Sequence, residues 1–82
     1  MSSQKPQTVQ VGCWVRIRDP ELDEEETFHL VEPEAEKPTA GMISPRTPFA
    51  QALIGSQPGE LVNVETRNGV ETLEIVATGW DE

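Results

Sequence analysis

Few side chains in this 82-residue sequence have the type and spacing that chemistry needs. His29 is its one histidine and Cys13 its one cysteine. His29 has no Ser, Cys or acid at a spacing that marks a nucleophile and its base. Cys13 has no second thiol or histidine near it in sequence. A single cysteine forms no internal disulfide, argues against a zinc site, and fits a reducing cytosol. Cys13 therefore reads as a small core residue and His29 as a half-exposed strand residue. Nine of the fifteen acids fall between Asp19 and Glu36. Calcium loops need fixed carboxylate spacing and usually a glycine, and this run has neither, so it reads as solvated charge. No catalytic residue, metal or cofactor is expected.

Recognition is what remains. The formal net charge of −9 makes nucleic acid a poor partner, because phosphate binding needs clustered Lys and Arg. A basic protein surface fits better, although acid excess also serves simply to keep a small domain soluble. No apolar run reaches the ~20 residues of a membrane span, and no apolar leader opens the chain. A cytoplasmic, membrane-free protein is expected. The oligomeric state is not readable.

The elements must present whatever surface does the recognising. Residues 1–8 read as a flexible polar arm and 9–82 as one domain. Val9, Val11, Cys13, Val15 and Ile17 alternate with polar neighbours, the pattern of a half-buried strand. Asp19 to Glu25, with Pro20, breaks that pattern as a turn or loose loop. Glu26 to Val31 resumes as an antiparallel strand with Phe28 and Leu30 facing in. Glu32 to Ala40 carries Pro33 and Pro38 and reads as a surface connection. Gly41 to Ser44 forms a short third strand.

The chain then reaches its only helix with clear start and stop signals. Thr47 is suited to N-cap it, Pro48 to sit at its first position and Gly55 to end it. Phe49, Ala52 and Leu53 share one face. One short apolar helix among strands implies a sheet wrapped around it. Pro45 and Pro48 leave Arg46 and Thr47 few backbone shapes, and a stiff exposed loop loses little entropy on docking. Beyond a Pro58-Gly59 turn, Asn68-Gly69 marks a two-residue hairpin. Counting outward pairs Arg67 with Val70, Glu65 with Thr72, Val64 with Leu73 and Val62 with Ile75. Trp80, in a polar tail, is expected to fold back over a sheet edge.

The order of these pieces resembles the C-terminal domain of the Gre family (GreA/GreB) of bacterial transcription elongation factors, a domain also found in the regulator of nucleoside diphosphate kinase. The likeness rests on Asp23 to Phe28 leading into His29-Leu30-Val31. Ile43-Ser44 and Thr47-Pro48 follow, then Ala52-Leu53-Ile54-Gly55 and Pro58-Gly59-Glu60-Leu61-Val62. The resemblance implies an α+β, FKBP-like fold, a curved antiparallel sheet embracing one short helix. It also implies a non-catalytic role: binding bacterial RNA polymerase at the secondary-channel rim, on a coiled coil of the β′ subunit, and modulating elongation.

Its contact surface would include Ser44, Arg46, Thr47 and Pro48. Family members tend to carry Asp or Asn where this chain has Arg46, a charge reversal at a contact position. Gre factors cleave transcripts through a long helical hairpin with metal-holding acids at its tip, and this sequence has no heptad run to form one. Two other readings are an FKBP-type prolyl isomerase and a general interaction or dimerisation module. The first is hampered by the small number of aromatics available to line a pocket. The second would use the strand face with Trp14, Arg16 and Arg18.

Overall fold

A computed structural model describes residues 8–37, 40–66 and 69–81. The expected N-terminal arm, but for residue 8, lies outside the described residues, as do Arg67 and Asn68 of the hairpin turn. Five strands and one helix follow in the order β1 (Cys13–Asp19), β2 (Glu24–Leu30), β3 (Met42–Ile43), α1 (Pro48–Leu53), β4 (Leu61–Thr66) and β5 (Gly69–Trp80). They make one sheet ordered β3-β2-β1-β5-β4.

Alternation places the core as expected. Val15, Ile17, Leu30, Val64, Leu73 and Ile75 turn to one side of the sheet, where Ala50 and Leu53 of α1 meet them. Cys13 is fully buried among the strand residues on that side.

Several details depart from the sequence reading, the smallest being that β2 begins at Glu24, two residues early. The first strand begins at Cys13, because Gly12 takes φ +96° and the Cys13 amide donates to the Gln10 carbonyl at 3.1 Å. Val11 is thereby left at the surface. Val9 is buried for a different reason. Its amide donates to the Ser56 carbonyl and its carbonyl accepts from Gly55, both at 2.9 Å, which clamps the chain's start to the helix's end.

The sheet is mixed rather than wholly antiparallel. Past a 3₁₀ turn at Pro33–Ala35, β3 lies alongside the last two residues of β2, Met42 by His29 and Ile43 by Leu30, in parallel. The hairpin register is shifted by two residues: Val62 faces Leu73, Val64 faces Glu71, and Thr66 faces Gly69. A two-residue slip keeps every side chain on its expected face, which is why the apolar pattern alone did not fix it. The Thr72 hydroxyl donates to the Asn63 side-chain oxygen at 2.9 Å across this pairing, on the solvent side. Finally, Ala77 to Trp80 are strand, not tail, and Trp80 remains 43% exposed at the sheet's end, beside Gly12.

The β1–β2 turn is ordered rather than loose. Asp19 Oδ1 accepts from the Glu21 and Leu22 amides at 2.9 and 3.3 Å, and Asp23 adopts φ 56°. Arg18 locks its far side, reaching Asp23 at 2.8 Å and Glu74 at 3.3 Å. The hydrogen bond that Arg18 donates to Asp23, then the charge of Asp23, raises the Arg18 pKa, with a smaller push from Glu74.

On the outer face, Trp14 lies directly over Gly79, and the Arg16 guanidinium sits 5.8 Å from the indole centre. A Cβ at Gly79 would come within 2.8 Å of the indole. Gly79→Ala is therefore expected to displace Trp14, destabilising the domain by about 1–3 kcal/mol and shifting its tryptophan emission. Urea unfolding followed by fluorescence measures both.

Candidate docking surface

The loop into α1 is built from its own hydrogen bonds. The Ser44 carbonyl accepts from the Thr47 amide at 3.1 Å and from the Thr47 hydroxyl at 2.9 Å. The Ser44 hydroxyl accepts from the Arg46 amide at 3.1 Å. Thr47, at φ −77° and ψ 148°, caps the helix by accepting from the Ala50 amide at 3.2 Å. The Gln51 side chain reaches back to donate to the Pro45 carbonyl. Every bond in this set lies within eight residues, and the apolar side of α1 anchors them, since Ala50 and Leu53 are fully buried.

That arrangement sorts the four residues expected at a contact surface. Arg46 and Pro48 are exposed and Thr47 is half-buried. Ser44 is only 3% exposed and spends its hydroxyl inside the loop, so it shapes the surface without offering itself to a partner. The Arg46 side chain has no hydrogen-bond or ion-pair partner among the described residues, which leaves its charge available. Helix, cap and glycine stop all stand where the sequence places them, Gly55 at φ +89°.

Two polar features escaped sequence reading. Gln51 sits on the exposed side of a helix, and no local pattern marks its link to Pro45. His29 has a partner after all: its Nδ1 lies 2.9 and 3.0 Å from the two carboxylate oxygens of Asp81. Their separation of 52 residues carries no motif, and only the extension of β5 brings Asp81 across β1 to β2. No group of three or more His, Cys, Asp or Glu among the described residues could hold a metal ion. No helix among them is long and apolar enough to cross a membrane.

A capped helix packed on a five-stranded mixed sheet, with a hydrogen-bonded loop at its head, defines a small α+β domain. Comparison with known proteins makes the class specific. The family described as "Transcription elongation factor, GreA/GreB, C-term" matches residues 3–78, and the chain belongs to it. It is 32% identical over 80 residues to transcription elongation factor GreA of Agrobacterium fabrum, covering 98% of this chain and 51% of that protein. It is 39% identical over 70 residues to GreA of Acidiphilium cryptum, covering 85% of this chain and 45% of that one. The chain thus spans about half the length of the curated relatives it matches.

Among solved structures, the GreA/GreB elongation factor of Nitrosomonas europaea superposes with a TM-score of 0.78 at 28% identity, over 92% of this chain and 63% of that one. The GreA factor homolog 1 (Gfh1) of Thermus thermophilus shares the fold at a TM-score of 0.78 and 24% identity, over 95% of this chain and 52% of that one.

The cap gives a direct test. Thr47→Ala removes the acceptor for the Ala50 amide and the donor to Ser44, and is expected to cost about 1 kcal/mol. Thr47→Ser keeps both and should recover most of that loss. Thermal unfolding of the three proteins side by side measures the difference, about 4–8 °C per kcal/mol for a domain this small.

Proposed function

We propose that this chain is a non-catalytic docking module for bacterial RNA polymerase, working in the cytoplasm. It grips the rim of the secondary channel at the β′ coiled coil and so modulates elongation. The observation that carries the reading is the pre-set loop, in which Arg46 and Pro48 stand exposed on a frame tied by Ser44, Thr47 and Gln51. A loop already held in one shape gives up little entropy on binding. Membership of the GreA/GreB family and relatives named as transcription elongation factors support polymerase as the partner.

Grip is the role assigned to these residues, and no bond-making step is assigned to any of them. Arg46 tunes the contact. Its position carries Asp or Asn in the pattern the resemblance describes, so the positive charge here alters affinity more than it alters placement.

Binding of the fluorescently labelled chain to core polymerase tests the proposal. Association is expected in the micromolar range and is expected to vanish for a polymerase whose β′ rim coiled coil has been deleted. Pro48→Ala loosens the loop and should weaken binding about two- to fivefold. Arg46→Asp should tighten it by about two- to fivefold, the scale of one exposed charge. Absence of binding at high micromolar concentration, or undiminished binding to the deleted polymerase, would overturn the reading.

A further inference from the structure

The helix is shorter than the sheet it plugs. Six helical residues span about 9 Å, whereas the seven residues of β1 or β2 span about 23 Å. Beside α1, the helix-side face of the β1–β2 hairpin opens into a cleft whose floor is core. Ile17, Phe28, Phe49 and Leu73 line a cleft of about 450 Å³ there. Phe28 and Phe49 meet edge to face, with ring centres 4.9 Å apart, and both remain partly exposed.

Strand register decides what surrounds this apolar floor. Glu26 pairs with Ile17 and Glu24 with Asp19, so alternation turns all three acids toward the same side as Phe28. Glu71, opposite Val64, reaches the cleft from β5. Among the described residues, no Lys or Arg lines it.

We infer that this cleft is a docking site for a basic protein segment, one that sets a Leu or Phe side chain between flanking Lys or Arg residues. The aromatic pair would take the apolar anchor, and the rim carboxylates would take the flanking charges. Charge selects this occupant over others. A second copy of the chain also carries −9 and is repelled, as are nucleic acid and anionic membrane surfaces. The site stands on its own geometry and does not require polymerase to be the partner of the Arg46–Pro48 loop.

The test is titration of the isotopically labelled chain with three synthetic peptides, followed by amide chemical shifts. One peptide carries Leu-Phe flanked by lysines, one the same anchor flanked by glutamates, and one alanines flanked by lysines. The first is expected to bind, to move the amides of Phe28, Phe49 and Leu73, and to weaken as salt rises. The other two are expected to bind at least about tenfold more weakly.

Glu24→Gln combined with Glu26→Gln alters two exposed side chains and should weaken the first peptide about fivefold, as two partly exposed ion pairs would. Equal binding of the lysine–alanine peptide, shifts clustered away from the cleft, or an unchanged affinity in the double variant would each refute the site. Because polymerase is absent from this experiment, its result is independent of the docking proposal above.

Discussion

The Thr47 side chain ties the loop before α1 to the helix itself. Its hydroxyl accepts from the Ala50 amide and donates to the Ser44 carbonyl, so one oxygen both starts the helix and closes the loop before it. Helices leave their first amides unpaired, and a short helix feels that loss most because it has few internal bonds to offset it. α1 has only six residues and is stable by virtue of what surrounds it. Ala50 and Leu53 are fully buried at one side, Pro48 needs no amide partner, and Val9 ties down the C-terminal end through Gly55 and Ser56.

From that constraint follows a division of labour across the sheet. The half of the helix-side face covered by α1 is aliphatic and closed. At its edge Phe49 of α1 meets Phe28 of β2, and carboxylates rim the cleft they line. The outer face is organised differently, around Trp14 laid over Gly79 and Arg16 laid over Trp14. Arg18 is occupied by Asp23 and Glu74, whereas Arg46 has no such engagement among the described residues. The distinction matters in a chain with so few cations, because a charge already paired has less to offer a partner.

Local signals were the legible part. Thr47, Pro48 and Gly55 specify the helix because capping, the proline position and the left-handed stop each act within a few residues. Alternation gave β1, β2 and both faces of the β4–β5 hairpin for the same reason. What escaped depends on distance or on degeneracy. The parallel pairing of β3 is set by the path of a long connection, and the hairpin register is invisible to a pattern that repeats every two residues. The burial of Ser44 and the meeting of His29 with Asp81 exist only once separate strands are assembled. At the candidate site, the sequence located the loop, while its internal bonding decided which of its residues face outward.

The central claim is that the 44–47 loop is held in one shape before any partner arrives. Backbone ¹⁵N relaxation of the free chain tests it most directly, at the amides of Arg46 and Thr47. Both donate to Ser44, so order parameters of about 0.85, the level of rigid backbone, are predicted for them. Values below about 0.6 would mean that the loop samples many shapes and would contradict the account.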